Sequence, residues 1–126
     1  MTAEEKKRQL EHYRAALKEL MRFAKDYHRL NKLEEVIGPA DTHFAGDAQK
    51  DIKEEKVRLC KAVSKLLKEK RTIEREIEAL SNGNYALLLK YRYLDGYTWE
   101  EIAEQMNYSF RSVHYMHNKA LNDIAI

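Results

Sequence analysis

Six side chains between positions 111 and 119 carry most of the hydrogen-bonding chemistry of this chain's end: Arg111, Ser112, His114, Tyr115, Asn118 and Lys119. If the segment is helical, Arg111, Tyr115 and Asn118 recur at spacings of four and three, and Ser112, Tyr115 and Lys119 at three and four, so they share one face. That face offers a guanidinium, hydroxyls, an amide, an imidazole and an ammonium. These groups suit contacts to base edges in a major groove and to phosphate oxygens. The opposite side carries Val113, Met116, Ala120, Leu121 and Ile124, an apolar stripe that must be buried for the polar face to be held in place.

Other groupings suggest chemistry less strongly. Glu100, Glu101 and Glu104 resemble an acid cluster in isolation, but they sit in the first turns of a helix, where carboxylates complement the dipole. No nucleophile, base partner or glycine-rich phosphate loop accompanies them, so no enzyme is expected. His114 and His117 are three apart, yet no third ligand stands at metal-binding spacing, and neither metal nor cofactor is expected. Cys60 is the single cysteine, which excludes an internal disulfide; its spacing from Leu59 and Val63 predicts a small buried or boundary hydrophobe.

The elements that must position the polar face are marked by capping signals. A helix over 85–94 ends at Asp95-Gly96. Thr98 followed by Glu101 forms a capping box ahead of a helix over 99–106, with Trp99, Ile102, Ala103 and Met106 on its apolar side. Asn107 suits the left-handed residue of a tight turn. Ser109 caps the last helix, 110–123. Two helices joined by so short a turn make a helix-turn-helix, whose second helix enters the major groove. Most of the tyrosines of this segment read as small-domain core with hydroxyls at the surface.

Upstream, residues 3–36 contain neither Gly nor Pro and place Leu10, Tyr13, Leu17, Leu20, Ala24, Tyr27 and Asn31 at alternating three-four spacing, with Phe23, Leu30 and Ile37 widening the stripe. Gly38-Pro39 ends that helix. Residues 38–51 read as a loop, and a second helix from about Ala48 to Leu80 carries Ile52, Leu59, Val63, Leu66, Ile73, Ile77 and Leu80, with Lys56 and Lys70 on its seam. The expected architecture is all-α: an antiparallel helical hairpin over 1–82, each arm about 50 Å long at 1.5 Å per residue, followed by a three-helix domain over 83–126, with Gly83 as a helix C-cap or flexible joint. The broad stripes and polar seam residues suit a hairpin that makes a dimer or docks a partner, and equally a monomeric hairpin with Lys56 and Lys70 snorkelling at its edge.

Charge is distributed against the obvious reading. The net charge is only +2, and past residue 80 four cations, Lys90, Arg92, Arg111 and Lys119, face five acids. Nucleic-acid binders usually show a basic footprint. With 44% hydrophobic residues, mean hydropathy of -0.74 and no long apolar run, a membrane span is excluded, and no signal-peptide core opens the chain. A soluble, cytoplasmic protein is expected.

Gly96, Thr98, Glu101, Ile102, Ala103, Ser109, Val113, Ala120 and Leu121 fit the pattern G-x-T-x-x-E-I-A followed by S-x-x-x-V-x-x-x-x-x-x-A-L, which resembles sigma factor region 4. With the helical region before it, the chain resembles the ArpU and RinA group of phage and mobile-element transcription regulators. The resemblance implies a sequence-specific regulator binding double-stranded DNA. It implies base or backbone contacts from Arg111, Ser112, His114 and Tyr115, with Ser109 and Asn118 beside them, and a phosphate contact from Lys119. The chain departs from the pattern at Phe110 and Tyr115, where sigma factors carry charged or amide side chains. An RNA polymerase-binding or other protein-interaction module with weak DNA contact is the alternative, motivated by the near-neutral charge. The small subunit of a phage terminase, which more often places its helix-turn-helix first, is a third.

Overall fold

The structure is a computed structural model that describes residues 1–126, and every regular element in it is a helix. Helix α1 spans Ala3–Ile37 and α2 spans His43–Glu78. After them come α3 (Gly83–Leu89), which runs directly into a π-helical segment (Lys90–Leu94), then α4 (Trp99–Met106) and α5 (Phe110–Asp123). No helix is long and apolar enough to cross a membrane.

The chain divides into two compact units, and the division does not fall at the expected joint. One unit joins residues 1–15 to residues 68–126; the other is 16–67. The start of α1 and the end of α2 thus belong with the helix-turn-helix, because Leu10, Tyr13, Ile73 and Ile77 are buried in the same unit as Leu88, Leu89, Tyr93, Ile102, Val113, Leu121 and Ile124. A three-helix domain of some forty residues has little interior of its own, and the added turns enlarge it.

In the 16–67 unit, α1 stops where Gly38 takes a left-handed conformation (φ 74°) and donates its amide to Glu34 O at 3.1 Å. The Gln49 side-chain amide then donates to Gly38 O (2.6 Å), which the helix end leaves open, and adds a second bond to Glu34 O (3.2 Å). The expected loop of 38–51 is shorter than its residue types suggest. Thr42 accepts the Ala45 amide at 3.0 Å and so caps α2, which starts at His43 and takes in Gly46 near its beginning. Ala45 and Ile52 are the buried residues of this unit; Leu17, Leu20, Tyr27, Asn31, Leu59, Val63 and Leu66 are half-buried, and Ala24 is exposed. Lys56 pairs with Glu34 at 3.0 Å and lies over the Tyr27 ring. Cys60, expected at a boundary, is exposed: it lies one residue beyond the inward-facing Leu59, on the solvent side of α2.

Candidate nucleic-acid interface

The helix-turn-helix is built by local chemistry that agrees with its tertiary packing. Gly83, expected as a helix C-cap or flexible joint, is instead the first residue of α3, because the Asn82 side chain accepts the amides of Asn84 (3.0 Å) and Tyr85 (3.2 Å). At α4 the Thr98 hydroxyl accepts the Glu101 amide at 3.2 Å while the Glu101 carboxylate accepts the Thr98 amide at 3.4 Å. Asn107 sits at φ 57°, ψ 39° and reverses the chain; Tyr108 N donates to Ala103 O at 3.1 Å. Ser109 opens α5 by accepting the Ser112 amide at 3.1 Å and donating its hydroxyl to Ser112 Oγ at 2.9 Å.

On α5 the buried residues are Val113, His117, Ala120 and Leu121, with Ile124 just beyond. His117 thus takes a core position, while Met116, expected in the core, is half-buried. His117 is 2% exposed and shares a hydrogen bond of 2.7 Å with the buried hydroxyl of Tyr93. Burial holds the imidazole neutral, lowering its pKa from 6.5 to about 4, and the nearby Lys7, His114 and Arg92 act in the same direction. The Tyr93 hydroxyl is pushed well above the ordinary tyrosine value by burial and then by Glu11. His114 is three residues before His117 and four after Phe110, on the same stripe. Its ring therefore packs against Trp99 (4.7 Å between centroids) and Phe110 (4.4 Å), half-buried, and does not turn fully outward as its polar type suggests. Trp99 in turn meets His117 at 4.7 Å, and the Arg92 guanidinium lies 4.3 Å from the Trp99 ring centroid. No group of three or more potential metal ligands gathers anywhere in the chain.

The start of α1 fixes this assembly from outside the motif. The Lys6 ammonium donates to Ile124 O at 2.6 Å and Asn122 O at 3.4 Å, at the negative end of α5. Arg14 donates to Arg92 O (3.1 Å) and Gly96 O (3.3 Å), and Glu11 pairs with Arg92 at 3.5 Å. Arg92 also donates to Tyr97 O at 3.2 Å. Its role is internal, whereas Lys90 is exposed. Nothing in the spacing of residues 84–126 signals these partners, which lie about eighty positions or more away.

What remains on the surface of α5 is Ser109, Arg111, Ser112, Tyr115, Asn118 and Lys119, all exposed. No acid pairs with Arg111 or Lys119; the Lys119 ammonium lies 5.4 Å from the Tyr115 ring centroid. Beside them a cleft of about 360 Å³ is lined by Tyr85, Tyr108, Arg111, Ser112, Tyr115 and Met116. Tyr85 and Tyr108 join this surface only through folding, since one lies in the first turn of α3 and the other in the turn before α5. No known protein family, curated protein or solved structure matches the chain. The interface is therefore defined by its own residues. Arg111 and Ser112 stand in the first turn of α5, where a helix laid in a major groove reaches base edges. Asn118 and Lys119 stand two turns later on the same helix.

Proposed function

We propose that this chain is a sequence-specific DNA-binding regulator of transcription, acting on phage or mobile-element genes, with α5 in the major groove. One observation carries the reading. A capped helix-turn-helix buries Val113, His117, Ala120 and Leu121 and leaves Arg111, Ser112, Tyr115, Asn118 and Lys119 exposed on the other side of α5. Selection of duplexes from a random library with the full chain should enrich one motif. Arg111→Ala should then relax preference at one base pair and cost about 1–3 kcal/mol, while Lys119→Ala should weaken all duplexes alike and reduce the salt slope by about 1. Absence of any enriched motif, together with silent behaviour of both variants, would sink the proposal.

A second reading has its own support. Tyr108, Phe110 and Tyr115 are 39%, 48% and 67% exposed beside a near-neutral surface, which suits a protein contact such as RNA polymerase as well as DNA. Co-purification of polymerase that is lost in Phe110→Ser and Tyr115→Ser, with no duplex bound, would favour it. In either case a homodimer would cover apolar side chains of α2 in the 16–67 unit, among them Phe44, Val57 and Leu67, which are 79%, 46% and 40% exposed. Two readers on one body gain effective concentration. Light scattering tests this by returning twice the chain mass of 14.9 kDa.

A further inference from the structure

The 16–67 unit carries a feature that its internal packing does not use. Lys18, Arg22, Lys25, Arg29 and Lys32 recur along α1 at spacings of four, three, four and three, and all five are exposed. At 3.6 residues per turn they fall within a sector of about 80°, opposite the half-buried stripe of Leu17, Leu20, Tyr27 and Asn31. No acid falls in that sector between positions 16 and 37; Val36 is the one further residue there. Glu19 and Asp26 stand about 60° and 40° beyond its edge and meet Arg22 and Arg29 at 3.6 and 3.5 Å, through side chains that stay 74% and 75% exposed on the arginines. Lys18, Lys25 and Lys32 have no ionic partner at all. The unit as a whole has eleven cations and nine acids, so an acid-free row of five is a matter of placement and not of bulk composition. The outer side of α2 in the same unit is different, since Asp51 and Glu54 interrupt Lys50, Lys53, Lys61 and Lys65.

We infer that this ridge is a phosphate-binding surface for the backbone of duplex DNA, resting on the reading of the chain as a DNA-binding protein. The ridge answers a difficulty in that reading: the unit containing α5 has twelve cations and twelve acids, too balanced to supply the electrostatic part of binding. A straight helical row from position 18 to position 32 rises about 21 Å at 1.5 Å per residue, enough to cross a major groove about 12 Å wide and reach phosphates on both of its sides. Five cations on that length complement a regular polyanion, and flexible lysine stems let each ammonium find an oxygen. The contact carries no sequence information. It would hold the chain on DNA while α5 reads bases.

The test uses the full chain and a mixed-sequence 30-base-pair duplex, with binding measured by anisotropy from 50 to 200 mM salt. Lys18→Gln, Lys25→Gln and Lys32→Gln are combined in one variant; Gln keeps helix propensity close to that of Lys, and circular dichroism checks that the helices are retained. Removing three phosphate-neutralising ammonium groups should make the log–log salt slope shallower by about 2.7, so the parent chain should lose about 40-fold more affinity than the variant across that range. A parallel Arg111→Ala variant separates the two claims. If the chain binds and Arg111→Ala weakens binding while the triple variant keeps the parental slope, the ridge assignment is overturned and the reading of α5 stands. If Arg111→Ala is silent on the selected duplex while the triple variant flattens the slope, the ridge stands and the reading of α5 falls. Failure of the full chain to bind any duplex overturns both. So does lysine-dependent binding to phosphatidylserine vesicles with none to duplex.

Discussion

The two units of this chain are made from the same two long helices yet are stabilised in opposite ways. In the unit formed by residues 1–15 and 68–126, nine large side chains are essentially inaccessible, from Leu10 and Tyr13 on α1 to Leu121 and Ile124 at the end of α5. In the 16–67 unit only Ala45 and Ile52 are buried, while Met21, Leu33, Val36, Phe44, Val57 and Leu67 are exposed. Both units are built from helices, so the difference lies in what the helices pack against. A helical pair can enclose only a narrow strip; a cluster of short helices can surround side chains on every side. The contrast implies that the first unit behaves cooperatively, and that the second takes its stability from helix propensity, caps and a few polar contacts.

The sharpest way to break this comparison is to remove a core residue that is distant in sequence from the motif it supports. Leu10 is 0% exposed. Leu10→Ala should destabilise the helix-turn-helix by about 2–5 kcal/mol, the usual range for an unrefilled core cavity. Thermal unfolding followed by the fluorescence of Trp99 reports on that unit directly. A fragment containing only residues 84–126 should lack fixed tertiary structure for the same reason, and its near-ultraviolet dichroism should be weak. If the fragment gives a cooperative transition matching the full chain, α1 contributes nothing to the core.

Acid should act on the same unit through His117. Its pKa is lowered from 6.5 to about 4 in the folded chain, so between those values the unfolded state binds more protons than the folded state. Stability from keeping this imidazole neutral is therefore full above about pH 6.5 and falls as pH drops, until the folded state also protonates near pH 4. The loss is on the order of 3 kcal/mol. Denaturant midpoints across that interval should fall in the parent chain, and fall much less in His117→Gln. Removing only the partner hydroxyl is milder. Tyr93→Phe leaves a buried imidazole nitrogen without its 2.7 Å hydrogen bond and should cost about 1–3 kcal/mol, with little change in the pH interval.

How far the fold is legible in the sequence follows the same division between local and distant causes. The capping box at Thr98 and Glu101, the left-handed Asn107 and the Ser109 cap are each set by residues within one turn, and all can be read from residue type and spacing. The start of α2 is harder to place because Gly46 reads as a loop residue, although the Thr42 cap three positions before Ala45 determines the outcome. His117 lies outside the expected apolar stripe by its polar type; its spacing from Val113 and Leu121 is the signal that puts it inside. The unit boundary is illegible for a deeper reason. The seam of α1 has the same three-four period at Leu10 and Tyr13 as at Leu20 and Tyr27, and periodicity does not tell which partner covers each part. Of the exposed face of α5, Arg111, Ser112, Tyr115, Asn118 and Lys119 follow from spacing, whereas Tyr85 and Tyr108 reach the adjoining cleft only through the tertiary fold.

The smallest expected effect sharpens the comparison from the other side. Lys56 in the 16–67 unit makes a 3.0 Å ion pair with Glu34 and lies over Tyr27, and its side chain is 16% exposed against 45% for Glu34. A pair with one partner so open to water is strongly screened, and replacing Lys56 by Gln keeps much of the stem that covers the seam. Lys56→Gln should cost no more than about 1 kcal/mol, and hydrogen exchange should quicken only over the amides of 16–67. Exchange within 84–126 should be unchanged if the two units open separately. If protection of the Ile102 and Leu121 amides falls together with that of the hairpin, the units unfold as one and the contrast between them is only one of burial.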